Sequence, residues 1–201
     1  MCGHESIHWQ ARRLFEPHED WPRAAAVLAN LACLAWNQGE AAKARAAFER
    51  CLELYRELNQ PVEIADCLQI LGEVIIRQGG LERARDLLLE CLAIRDRLGD
   101  QSGTVSAAEV LAGISFKSGD VTHAVHLAAA ASAIRARTGT PIPVGRAHVY
   151  DATIAEYRSA MSDADFEAAW AFGDALPPGS PARFGRDRRI IALPAWDSTR
   201  L

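Results

Sequence analysis

Five residues near the amino end, His4-Glu5-Ser6-Ile7-His8, have the HExxH spacing. On a helix this spacing puts two imidazoles on one face, able to hold zinc, with a glutamate between them as general base for hydrolysis. The surroundings argue against that chemistry. The extended form of the motif needs Gly at 11 and His at 14, and the chain has Ala11 and Leu14. The match also starts at the fourth residue, which leaves no room for the sheet that walls such a site. A zinc hydrolase built on His4, Glu5 and His8 is therefore a remote alternative. His123 and His126 are three apart and could share a metal, but a pair at the start of a helix more commonly faces solvent or a neighbouring helix. No Ser-His-Asp or Cys-His set can be assembled. We expect no catalytic residue, no metal ligand and no cofactor, and a chain that is not an enzyme.

The totals agree with a binding protein. The chain has 201 residues, 49% of them hydrophobic, and a formal charge of -4. That is enough apolar material for one real core or one short repeat array. The charge is too small to argue for nucleic acid. From Pro177 onward five arginines stand against two aspartates, so this Pro-, Gly- and Arg-rich stretch, 177–201, is net positive and reads as a disordered tail. Five cysteines without a CxxC pair suggest neither a disulfide framework nor a zinc ribbon. We read them as reduced core residues of a cytoplasmic protein. No secretory leader is evident at the amino end, and no stretch approaches the ~18 apolar residues of a membrane span.

The elements that would position any site follow from a repeat. Leu71, Gly79, Ala84, Arg85, Cys91, Leu92 and Leu98 return forty residues earlier as Leu31, Gly39, Ala44, Arg45, Cys51, Leu52 and Leu58. Leu111, Gly119, Ala124 and Ile134 continue the series forty residues later. A fixed period in the range of 20–50 residues marks stacked repeats. Each unit is a pair of helices reversing at its glycine, with a small alanine where the second helix crosses the first. Leu31, Leu71 and Leu111 are the expected knobs of the first helices. The pairs read as 24–60 (helices from about Arg23 to Asn37 and Glu40 to Leu58), 61–100 (Pro61 to Gln78, Leu81 to Leu98) and 101–140 (Gln101 to Ser118, Val121 to Thr138). A divergent closing pair, 141–176, has a helix from about Val144 to Met161, a cap at Ser162 with Asp165 three residues on, and an aromatic-rich helix ending near Leu176. Before Arg23 the chain is irregular: Ile7, Ala11, Leu14 and Phe15 could form one helical face, interrupted by Pro17 and Pro22.

The pattern Leu71-Gly72, Gly79, Ala84, Leu88 and Cys91 resembles the tetratricopeptide repeat, with longer helices than the family's usual 34-residue unit. That resemblance implies an all-α superhelix, or solenoid, of antiparallel helix pairs over 24–176. The segment from Ala124 to Leu176 is similar to the end of large bacterial ATPase and transcriptional regulators of the LuxR/AfsR-like kind, which carry long tetratricopeptide arrays. No GxxxxGK[ST] phosphate loop and no DNA-reading helix pair occurs here, so only their sensor or scaffold part is implied.

In the tetratricopeptide family the first helix of each pair lines a concave face that holds a peptide. Counting from each first-helix leucine, the groove positions carry Trp36 and Asn37 in the first pair. The second pair supplies Asp66, Gln69, Glu73, Ile76 and Arg77, and the third Glu109, Phe116 and Lys117. Trp36, Ile76 and Phe116 make an apolar column, which could equally pack on the next helix. Acids replace the Lys/Arg/Asn clamp that some members use for a terminal carboxylate. The resemblance thus implies a non-catalytic scaffold or sensor of a bacterial regulatory system that binds a protein or peptide, with self-association open. A small-molecule or signal-peptide sensor using the same groove is the alternative. Neither a membrane nor nucleic acid is an expected partner.

Overall fold

A computed structural model describes residues 21–142 and 144–176. The expectations for His4, Glu5, His8, the early apolar face and the arginine tail lie outside the described residues. All regular structure among the described residues is helical. The chain divides into two compact units between Gly99 and Asp100.

The first unit contains α1 (Trp21–Asn37), α2 (Ala41–Glu57), α3 (Pro61–Arg77) and α4 (Leu81–Leu98). Helices α1 and α2 pack as a pair, α3 and α4 as a second, and α2 also lies against α3. Pro22 and Pro61 both sit in a first helical turn, where a missing N–H costs nothing. Pro22 stands at the start of α1, and the early face it was expected to interrupt lies outside the described residues. Gly39 and Gly79 reverse the chain within each pair at φ 78° and 83°, a conformation that side chains with a Cβ resist. Asn59 adopts φ 53° between the pairs, at the position that Gly99 fills one repeat later at φ 68°. Asparagine is the residue other than glycine that best tolerates this region.

Ala44 and Ala84 are fully buried at the helix crossings. A Cβ on Gly72 would come within 3.2 Å of Leu88 Cγ, so α3 and α4 approach closely there. The thiols of Cys51 and Cys91 are buried and reduced, and donate to the carbonyl oxygens of Ala25 and Ala65, each on the first helix of the pair. A hydrogen bond that the Cys51 thiol donates to Cys67, together with burial, pushes the Cys51 thiol well above its ordinary pKa. These thiols behave as small apolar core groups. One expected knob is not one. Leu71 and Leu111 are buried, but Leu31 is 39% exposed. Leu71 is enclosed because α3 packs on both α2 and α4, whereas α1 packs on α2.

The second unit contains α5 (Gln101–Lys117), α6 (Val121–Thr138), a 3-10 turn (Val144–Arg146), α7 (Ala147–Ser159) and α8 (Asp163–Asp174). Asp100 and Asp120 cap α5 and α6 by accepting from the backbone N–H of Gly103 and His123. Helix α6 packs on α5 and on α8. Being enclosed from two sides explains its buried run Ala128 to Ala131, which allows both neighbours close approach. A Cβ on Gly173 of α8 would collide with the His126 carbonyl oxygen and stand 2.8 Å from Ala129 Cβ.

The closing segment differs from expectation at its start. The stretch expected as one helix from Val144 begins as a 3-10 turn, and the α-helix starts at Ala147, past Gly145, a poor helix former. The cap behaves as its sequence suggests: Ser162 Oγ accepts from Asp165 N–H and donates to the Asp165 carboxylate. Arg158 joins α7 to α8, pairing with Asp163 at 3.0 Å and Glu167 at 2.6 Å while lying over the Phe166 ring. Only Tyr157 of α7 is buried.

Candidate binding surface

In the first unit, α1 and α3 carry the first two sets of groove positions. Their core faces bury Ala25, Leu28, Leu68, Leu71 and Ile75. The helical period then leaves Trp36, Gln69, Glu73 and Ile76 half-buried and Asn37, Asp66 and Arg77 exposed. Trp36 and Arg77 come together, the guanidinium carbon standing 4.1 Å from the ring centroid. That is a cation–π contact, which the indole favours most among aromatic rings.

Asp66 and Gln69 share a partner that the sequence reading did not single out. Arg95 of α4 is buried, and its guanidinium donates to Asp66 Oδ1 at 2.8 Å and to Gln69 Oε1 at 3.1 Å. Its Nε faces Cys91 Sγ at 3.3 Å. The Asp66 carboxylate is thus compensated from within its own helix pair.

The second unit repeats the device. Glu109 of α5 accepts from Arg135 of α6 at 2.7 Å, and Arg135 also donates to the Pro141 carbonyl at 3.2 Å. Arg95 and Arg135 are one repeat apart, and each stands 26 residues after its partner Gln69 or Glu109. The 40-residue period carried that signal. Tyr55 holds the same position in the first pair.

Phe116 is half-buried and Lys117 exposed. Tyr157 of α7 lies on the Phe116 ring, centroids 4.8 Å apart and tilted by 37°. The two ring contacts obey one rule. Arg77 follows Trp36, and Tyr157 follows Phe116, by one repeat plus one residue. Burial pushes the Tyr157 phenol up to about 12, with Glu156 and Glu109 adding negative charge nearby. Tyr150 is raised chiefly by burial, against a hydrogen bond from Ser132.

The remaining candidates have other uses. His123 Nδ1 is 3.2 Å from the buried Ser115 hydroxyl, and His126 lies against the Phe172 ring at 4.6 Å. Among the described residues no group of three or more His, Cys, Asp or Glu could hold a metal ion. Nor is any described helix long and apolar enough to cross a membrane.

Consecutive helix pairs, the first three each reversing at a left-handed glycine with a buried alanine following, define an all-α fold of the tetratricopeptide-like solenoid class. The family model for the tetratricopeptide repeat matches residues 24–61, which take in the α1–α2 pair. No curated protein matches the chain. Repeats of this kind commonly act as protein-interaction scaffolds, which supports a non-catalytic binding role.

Proposed function

We propose that the chain is a non-catalytic scaffold or sensor of a bacterial regulatory system, acting in the cytoplasm and holding a protein or peptide on the concave sides of its helix pairs. The first unit contributes Trp36, Asn37, Asp66, Gln69, Glu73, Ile76 and Arg77, and the second Glu109, Phe116 and Lys117. One observation carries the reading. None of these ten side chains is buried, although they sit on helices whose other faces are. Aromatic and arginine side chains at accessible positions are where binding energy concentrates. Asp66 and Glu109 are compensated by Arg95 and Arg135, so selection by charge falls to Glu73, Arg77 and Lys117. A partner of mixed charge suits that set. The regulatory context rests on the resemblance of Ala124 to Leu176 alone.

The test is retention, by immobilised full chain, of the partner identified from its source cell. Arg77→Ala should weaken retention by about thirtyfold if Arg77 is a hot spot, with the melting temperature held. Undiminished retention with both Arg77→Ala and Lys117→Ala would remove the concave side from consideration.

A further inference from the structure

Helix α7 is the least enclosed helix of the second unit. It stands beside α5 as α3 stands beside α1, since Tyr157 meets Phe116 and Arg77 meets Trp36 at the same interval of one repeat plus one residue. Yet α3 packs along both α2 and α4 and buries Ile64, Cys67, Leu68, Leu71, Val74 and Ile75 among others. In the second unit the long contact with α6 is made by α8, and α7 meets α6 at far fewer points. Of the 13 residues of α7 only Tyr157 is buried.

The contacts that hold α7 are small. The Tyr157 ring lies on Phe116 of α5, and the Tyr150 hydroxyl is hydrogen-bonded to Ser132 of α6. Arg158 pairs with Asp163 and Glu167 of α8, all three exposed, where ion pairs contribute little. Tyr150 and Tyr157 are seven residues apart and so share one face of α7. Glu109 and Phe116 of α5 have the same spacing, and both tyrosines lie in the field of Glu109. The tyrosine face of α7 therefore lies over two of the proposed binding positions. Its opposite face, His148, Ala152, Ala155 and Ser159, is exposed. Ahead of α7, Val144 is 98% exposed and a Cβ on Gly145 would meet nothing within 4 Å. Isolated helices shorter than about 12–15 residues are marginal in water, so α7 without its contacts unwinds.

We propose that α7 is a detachable cover: it undocks and unwinds while α5, α6 and α8 stay folded, and so bares Phe116 and Glu109. A partner seated on Phe116 has to displace the Tyr157 ring, so α7 competes for the face it lies on. Apparent affinity scales with the fraction of molecules in the open state, and α7 thereby sets how tightly the second unit holds its partner. What the bared face holds rests on the proposed function; the undocking of α7 does not.

The experiment is hydrogen exchange read by mass spectrometry on the full chain, as wild type, Tyr150→Phe and Phe116→Ala. Corrected for intrinsic rates, amides of residues 151–159 should exchange at least about tenfold faster than those of α6 and α8, the mark of a local opening. Tyr150→Phe removes one hydroxyl and keeps the ring. It should speed exchange across α7, including the amides around Tyr157 two turns away, by about fivefold, the net worth of one hydrogen bond. Phe116→Ala should speed the same amides from the α5 side, and neither variant should move α6 or α8. Exchange of α7 at the rate of α6 and α8 would overturn the proposal, since the three would then open as one body. An effect of Tyr150→Phe that stays within the first turn of α7, or that spreads to α6 and α8, would overturn it too. Exchange as expected, with partner retention unmoved by Phe116→Ala and Lys117→Ala, would leave the detachable helix standing and remove the second unit's concave side as the binding surface.

Discussion

At the residue scale the informative pairs are those that join a groove position to a second-helix arginine. Arg95 is buried while the Asp66 side chain is 57% exposed. Removing Asp66 takes the carboxylate from a buried cation, whereas replacing Arg95 by an apolar chain of similar reach leaves a carboxylate that water can solvate. Asp66→Ala should therefore cost about 1–3 kcal/mol, and Arg95→Met less, by urea denaturation. The reverse order would mean that the two do not pair in solution. The tyrosines give a pH prediction. Burial pushes Tyr55 and Tyr157 each up to about 12, against an ordinary value of about 10. The native state holds these protons more tightly than the unfolded chain does. The contribution is intact below about pH 10 and drains away as pH rises through about 12. Absorbance at the phenolate band should therefore rise late and together with loss of helical ellipticity. A midpoint near 10 with helicity retained would show that the phenols are open to water.

At the scale of elements, two helical glycines separate packing from propensity. Gly113 in α5 has nothing within 4 Å of where a Cβ would stand, whereas Gly173 in α8 meets backbone and side chain of α6. Gly113→Ala should stabilise the fold by about 0.5–1 kcal/mol, because helix propensity is all that changes. Gly173→Ala should destabilise it by roughly 1–3 kcal/mol through overpacking. Thermal melts of the two variants shifting in the same direction would break the assignment of α8 to α6. The first three pairs were legible because their glycines, crossing alanines and leucines recur at a fixed interval. In the closing segment Asp151 and Ser159 replace the repeat's leucine and glycine, so its helices and its Ser162 cap could be read from local signals but its packing could not. What places α8 is contact with the alanine run of α6, and no periodicity announces a contact between helices that are not a pair. Leu31 misled for the related reason that a repeat position is buried only when its neighbour is in place.

At the scale of the whole molecule, the fold class could be read from the period, but the use of the surface could not. The period put Trp36, Arg77, Phe116 and Lys117 at positions that are half-buried or exposed. It did not say that Arg77 lies over Trp36 or that Tyr157 covers Phe116, since both contacts join successive repeats. The contacts sharpen what mutation should do. Arg77 is exposed, so Arg77→Ala should leave the melting temperature within about 0.5–1 kcal/mol of the wild type, the value of an exposed cation–π contact. Trp36 is half-buried, so Trp36→Ala should cost more stability, up to roughly 3–5 kcal/mol for a fully buried indole and less for this one. Partner retention then discriminates. If Arg77→Ala and Trp36→Ala both weaken it while Lys117→Ala does not, the first unit carries the contact. If Lys117→Ala alone weakens it, the second unit does. If neither Arg77→Ala nor Lys117→Ala changes retention and Trp36→Ala merely unfolds the chain, the aromatic positions are packing. The partner then belongs on the faces of α2 and α4 or on the arginine-rich tail.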